Sequence, residues 1–494
     1  MGTVGLLLLA LALALMMTTG WPTYAVLIAV STLGALFGIG IGAFDASLLR
    51  TLPGRIIGLL ENDLLQALAL YALVGALLNH LAIADGLYGG LRKTIGRCTR
   101  RGASELAGLG LGSLMAPMNG SVGASLLTLS RTAGARWTQE GMPAVRRTAL
   151  IAVASTLGVI VPPSLVLLLL GDAMMRAHTE GLHLAQSLSL PAATLGTRVI
   201  NTQDVLQAAL LPGAVLLACW AAASWFAAPA APHEAQPPPL LPRERWSLLV
   251  VPLLIGGLLA LVAAGRVRPV EAAASAGLLL LAWGLVSRQL TGAVLRQVLD
   301  DALALTGTLF ALLVAATTFS LLLRAFGTDL LVAGWMQRLQ GHPLLAVLTV
   351  LAVLLSCTFV LDAFELIFLV VPIVMPPLLA LVDDAAWVAA LTLLVLQAGF
   401  LVPPFGYAVV LARGQLRPRP PAAALARALL PYLLCLLAVL ALVIAVPATT
   451  RWLRTAPSTL PASTLSPEEL DQRMREMAPP EMPNEEAEPA EPAR

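Results

Sequence analysis

The sequence predicts an all-α polytopic membrane protein of two inverted-topology repeats, each with a re-entrant hairpin and a helix broken at a Pro-Pro pair. Composition leads there first: 58% of the 494 residues are hydrophobic and 12% charged, with a mean hydropathy of +0.85. That is too little polar surface to coat a soluble globule of this length. A recurrence comes second. Gly158-Val159-Ile160-Val161-Pro162-Pro163 returns as Gly399-Phe400-Leu401-Val402-Pro403-Pro404, residue 399 lying 241 positions after residue 158. A Pro-Pro pair inside an apolar run withholds two backbone donors and stops the helix, leaving carbonyls that only protein, water or an ion satisfies. One break per half-chain is the pattern of a ligand site at the bilayer midplane. The third observation is the placement of basic residues, which sets the direction of each span.

Taken in order, apolar runs near the length a bilayer requires occur at 2–18, 24–46, 64–84, 148–171, 205–227, 246–264, 270–287, 302–323, 385–411 and 426–447. Residues 4–18 are apolar enough for a signal peptide, but no Lys or Arg precedes Arg50, so the run is read as a first membrane helix. Two further runs do not fit single spans. Residues 102–130 are rich in Gly, Ser and Asn. They are basic on both flanks, with Arg92, Lys93, Arg97, Arg100 and Arg101 before and Arg131, Arg136, Arg146 and Arg147 after. Both ends are therefore cytoplasmic and the segment is a re-entrant hairpin. Residues 343–380 are too long for one span and lie between Asp329 and His342 on one side and Asp383 and Asp384 on the other. They read as a second hairpin, opening outward.

Counting crossings from a cytoplasmic 91–101 makes the two Pro-Pro helices antiparallel and puts both termini outside. It also leaves Arg266 and Arg268 outside, against the rule, and Arg324 near an outer helix end. The domains expected are a first repeat at 1–227, a linker at 228–245 with Pro237-Pro238-Pro239, a second repeat at 246–447, and a disordered Pro- and Glu-rich tail at 448–494. Residues 172–204 are the longest outer connection and a surface for a partner.

The offset of 241 also aligns the hairpin tips, Gly120 with Leu361. The first tip, Met118-Asn119-Gly120-Ser121-Val122-Gly123-Ala124-Ser125, offers Gly for close approach and Asn and Ser oxygens for a small hard cation. The alternative is a small-residue helix-packing patch. The second tip holds Asp362 and Glu365, read as neighbours on one helical face, and carboxylates at that depth mark an ion or substrate path. Their alternative is an acid that snorkels to the interface. Gln397 stands two residues before Gly399 and offers an amide to the second break, or an interhelical hydrogen bond.

Several classes are excluded. There is no Gly-Lys-Ser/Thr phosphate loop around the single lysine, Lys93, and no basic stripe for nucleic acid. No H-E-x-x-H and no G-x-S-x-G occurs, so an intramembrane enzyme is the distant reading, and no cofactor is expected. Cys98, Cys219, Cys357 and Cys435 are too scattered for a C-x-x-C pair and read as small apolar fillers.

The Gly120-Ser121 tip, Leu157-Gly158-Val159-Ile160-Val161-Pro162-Pro163-Ser164, Asp362 with Val371-Pro372, and Gln397-Ala398-Gly399-Phe400-Leu401-Val402-Pro403-Pro404-Phe405-Gly406 occur in one order and spacing. Over about residues 2–447 the chain resembles the large permease subunit of tripartite ATP-independent periplasmic (TRAP) transporters. The resemblance implies an elevator-type transporter in the bacterial inner membrane, importing an organic acid with sodium, or protons, as the coupling ion. Its implied partners are a small four-helix membrane subunit and a periplasmic substrate-binding protein, with the lipid bilayer around them. Carried over by position, Gly120, Ser121 and Ser125 with the Gly158–Pro163 break would form one sodium site. Asp362 with the Gly399–Pro404 break, through Pro403, would form the other, Gly406 would be a further ion- or substrate-binding residue, and the acid would lie between the tips. Met118-Asn119 and Phe405-Gly406-Tyr407 depart from the family pattern and bear on which acid is carried. A stand-alone carboxylate or ion antiporter of the same architecture is the nearer alternative.

Overall fold

The computed structural model describes residues 1–61, 63–99, 101–119, 121–187, 200–229, 239–415 and 419–453, and every regular element among them is helical. The chain opens with α1 (Gly2–Thr19) and α2 (Thr23–Gly40), apolar along their length. The short amphipathic α3 (Leu52–Leu60) is bent by 52° against α4 (Asp63–His80). Next comes α5 (Ile83–Cys98), where only a basic flank was expected. Its Gly, Lys and Arg residues interrupt any apolar run, yet Ile83, Ala84 and Gly86–Gly90 are buried against neighbouring helices.

The first hairpin is α6 (Ala103–Met115), α7 (Val122–Leu129) and α8 (Ala135–Gln139), with a π-helical turn at Ser130–Gly134 between the last two. That turn carries the hairpin's return arm past its expected end at 130. The first broken helix is α9 (Ala144–Ile160) followed by α10 (Leu165–Ser187). So the expected outer connection at 172–204 is helical through Ser187, and residues 188–199 lie outside the described residues. This stretch is polar but packed. Asp172 and Arg176 pair one turn apart at 3.0 Å, and at Gly181 an added Cβ would stand 2.8 Å from the Pro376 carbonyl. Then α11 (Thr202–Ala227) closes the half.

The second half runs α12 (Pro242–Ala263), α13 (Pro269–Val286), the long α14 (Gly292–Ala325) and α15 (Thr328–Gln337). Arg324 of α14 forms an ion pair with Glu180 of α10. The second hairpin is α16 (Pro343–Cys357), α17 (Ala363–Glu365), a π-helical turn at Leu366–Val370 and α18 (Val371–Leu379). The second broken helix is α19 (Ala385–Leu401) with α20 (Tyr407–Gln415), followed by α21 (Ala422–Ala445) and α22 (Ala448–Arg451). Two expected boundaries move. Helix α12 takes the last residues of the expected linker, and α22 takes the first residues of the expected tail because Thr450 is buried and Arg451 bonds Asp384 at 2.7 Å. Residues 230–238 and 454–494 lie outside the described residues.

Among the described residues eight helices are long and apolar enough to cross a membrane, with α9 and α10 counted together. The remaining two expected crossings, 64–84 and 385–411, are occupied by α4 and by α19 with α20. The outer helices expose Leu253, Leu278 and Leu303, as lipid-facing surfaces do. The centre is α9 against α19. Every residue of α19 is buried, as is α9 from Arg147 to Ile160. Helices α6, α7 and α20 pack on α9, and α16 packs on α19. Both helices have 17 residues, with Ala385 lying 241 positions after Ala144.

Candidate functional site

The first half-site is made by backbone and hydroxyls. Helix α6 ends at Met115, and the chain turns until Ser121, whose extended backbone starts α7 and whose Oγ accepts the Ala124 N–H at 3.1 Å. That is an ordinary helix N-cap. Ser125 donates its hydroxyl to the Ser121 carbonyl at 2.9 Å and reaches the Ala116 carbonyl at 3.4 Å, tying the tip to itself. Gly120 lies outside the described residues. Asn119 is buried, and neither atom of its amide finds a hydrogen-bond partner among the described residues. Helix α4 closes the tip from behind, since a Cβ at Gly75 would stand 2.4 Å from the Met118 carbonyl.

The break seats on this tip through Gly158. A Cβ there would stand 2.5 Å from the carbonyl oxygen of Ala116, so only glycine lets α9 approach this closely. Pro162 and Pro163, joined by a cis bond, cannot donate to the carbonyls of Gly158 and Val159. Ser164 replaces one missing donor by giving its hydroxyl to the Gly158 carbonyl.

The second half-site repeats the backbone plan with different side chains. Helix α16 ends at Cys357 and the chain turns through Thr358 to Asp362, which caps α17. Asp362 Oδ1 accepts the Glu365 N–H at 2.9 Å, while Glu365 Oε2 accepts the Asp362 N–H at 2.9 Å. This corrects the expectation of two acids on one helical face. Asp362 precedes the helix, and the D-x-x-E spacing is that of a capping box, in which each acid satisfies the other's backbone donor. Both residues are half-buried, and Glu365 also accepts the hydroxyl of Thr23 from α2.

Here the break seats through Gly399, where a Cβ would collide with the Thr358 side chain at 1.8 Å from its hydroxyl. Pro403 and Pro404, again cis, free the carbonyls of Gly399 and Phe400. At Gly406 a Cβ would stand 2.5 Å from the Phe400 carbonyl, and its N–H bonds Val402 at 2.8 Å. The residue 241 positions after Ser164 is Phe405, whose side chain has no donor and which is 68% exposed. Gln397 is fully buried, with neither amide atom partnered among the described residues.

The halves meet at Tyr407. Its hydroxyl lies 3.6 Å from the point where a Cβ on Gly123 would sit, and it is within electrostatic reach of Asp362 and Glu365. So α20, leaving the second break, packs beside the first tip. Among the described residues no group of three His, Cys, Asp or Glu side chains is placed to hold a metal ion. What the two sites offer is carbonyl, hydroxyl and amide oxygen, with two carboxylates on one side only.

A family model described as the tripartite ATP-independent periplasmic transporter, DctM component, matches residues 9–449. The chain belongs to that family. It is therefore a transporter permease and not an enzyme, a multi-pass protein of the bacterial inner membrane. The permease is 24% identical over 446 residues to the C4-dicarboxylate TRAP transporter large permease protein DctM of Rhodobacter capsulatus, covering 90% of this chain and 97% of that one. It is 24% identical over 409 residues to the sialic acid TRAP transporter large permease protein SiaM of Vibrio cholerae, covering 80% and 86%. Its fold is similar to that of the Alcanivorax borkumensis YdaH transporter, with a TM-score of 0.57 at 18% identity over 83% of this chain and 90% of that one.

Sequence reasoning about the permease missed Gly75, Thr358 and Thr23, which seat or brace the tips. Thr358 had a signal, since it lies one position beyond the residue that the offset of 241 matches to Ala116. Gly75 and Thr23 had none, because they come from helices far away in the chain.

Proposed function

We propose that this permease is the large membrane subunit of a secondary active importer that couples sodium entry to uptake of an organic acid delivered by a periplasmic binding protein. A small four-helix membrane subunit is its membrane partner. The observation that carries the reading is the pair of tip-and-break sites at the buried centre, only one of which has carboxylates. The freed carbonyls of Gly399 and Phe400 with Asp362 suit a small hard cation, and the neutral oxygens around Ser121, Ser125 and Gly158 suit a second, weaker one. The C4-dicarboxylate and sialic acid named for the relatives share a carboxylate, which supports an acid as the cargo. In this reading the two halves are an inverted repeat. Sodium orders the tips around the acid, and the unit built on α9 and α19 shifts across the bilayer against the remaining helices.

The test is uptake by proteoliposomes containing the permease, its small subunit and the loaded binding protein. Uptake should follow an inward sodium gradient and stop without it. Uptake that ignores sodium but follows a proton gradient would move the coupling to protons.

A further inference from the structure

Arg266 and Arg268 stand on the turn between α12 and α13, which the charge count leaves outside although arginines favour the cytoplasmic side. The fold gives them a setting. They line a cavity of about 470 Å³ whose inner end is Pro163 and Ser164, the first break itself. Ser164, just before α10, and Leu168 and Met175 of α10 follow at helical spacing along the lining. Between Ser164 and Met175 a helix rises about 16 Å, so the cavity reaches from the arginine turn to the break. Tyr71 of α4 and the start of α11 at Asn201–Gln203 also line it.

Its electrostatics favour an anion. Helices α10, α11 and α13, each of at least 18 residues, begin at its edge and direct the positive ends of their dipoles there, against the single negative end of α12, whose Ala263 carbonyl accepts the side-chain amides of Gln203 and Gln207. The acid in the lining, Glu271, is engaged in accepting the Arg268 N–H at 3.0 Å. Arg266 is exposed, and its guanidinium makes no hydrogen bond or ion pair among the described residues, so its planar fork is open to a carboxylate. The volume falls within the range of small-molecule sites.

We propose that this cavity is the outer vestibule of the transport path, and that Arg266 holds the carboxylate of the incoming acid before it reaches the first break. The proposal rests on the organic-acid reading above. It gives Arg266 a role on the side that the charge rule disfavours.

The test uses the complete transporter in proteoliposomes under an inward sodium gradient, with succinate and sialic acid as probes presented by the binding protein. For the acid taken up, Arg266→Gln should raise KM at least tenfold with kcat within twofold, and Arg266→Lys should recover most of the affinity. Arg288→Gln, on the turn at the other end of α13, should change neither. In a second measurement that keeps Arg266, Val267→Cys is labelled from outside by an anionic, membrane-impermeant thiol reagent. The acid taken up should slow labelling severalfold. An unchanged KM in Arg266→Gln, or labelling indifferent to the acid, overturns the vestibule and leaves the importer reading standing. A wild-type transporter that takes up neither acid on any ion gradient overturns that reading, and the vestibule with it.

Discussion

The two half-sites share a skeleton and differ in chemistry. In each, a buried 17-residue helix ends at a Pro-Pro break, and a glycine four residues before the first proline lies on the tip of its own hairpin, whose next helix is capped by the residue just past the turn. In the first half the hydroxyls of Ser121, Ser125 and Ser164 are spent within the site on backbone groups. In the second the cap is Asp362 boxed with Glu365, and Phe405 stands where Ser164 would. Backbone sterics thus set the shape of a broken-helix site, and a few side chains decide whether it is neutral or charged.

The largest effects should come from the two seating glycines. Gly158→Ala drives a methyl group into the backbone at Ala116, which cannot move aside, whereas Gly399→Ala meets a side chain, Thr358. Each should cost about 1–3 kcal/mol or more through overpacking. Thermal unfolding of the purified complex should recover in Gly399→Ala/Thr358→Gly, while no side-chain truncation rescues Gly158→Ala. Equal rescue of both would mean that the first tip yields as readily as the second.

Next in size is the donor at the first break. Ser164→Ala leaves the buried Gly158 carbonyl unpaired and should lower stability by about 1–3 kcal/mol. Phe405→Ala at the matching place should change stability by less than about 0.5 kcal/mol, because the ring is exposed. Melting curves of the two variants side by side check the contrast.

The charge difference is separable from capping. Asp362→Asn keeps a good N-cap and removes the carboxylate, so the melting temperature should hold while sodium affinity in uptake falls about tenfold, or ~1.4 kcal/mol. Ser121→Asn retains both the first cap and a neutral side-chain oxygen, so it should change sodium dependence less than Asp362→Asn does. If both variants lose sodium dependence equally, the halves are not chemically distinct. The smallest effect is expected at Gly123, where a Cβ would find Leu411 and Tyr407 at an ordinary 3.6 Å. Gly123→Ala should raise stability by about 0.5–1 kcal/mol through the α7 backbone, with uptake within twofold.

Much of this was legible from residues alone. The Pro-Pro pairs located both breaks because proline lacks an N–H wherever it stands, and ten long apolar runs located the expected crossings because a bilayer demands length. The elements missed were those whose stability comes from neighbours. Helix α5 is too rich in Gly and Arg to announce itself, and the end of α10 is polar yet packed on α18. Asp362 and Glu365 are legible, but D-x-x-E spacing spells a capping box as well as a shared face, and the backbone turn before α17 selects the box.

By itself, then, the sequence determined the membrane class, the position of each break and the residues at each tip, since these follow from local backbone chemistry and hydropathy. The tertiary structure alone decided what those residues touch. It seated Gly158 on Ala116 and Gly399 on Thr358, brought Tyr407 beside Gly123, and set Arg266 over a cavity ending at Ser164. Such contacts join residues distant in the chain, and close packing in three dimensions, which no local pattern encodes, selects them.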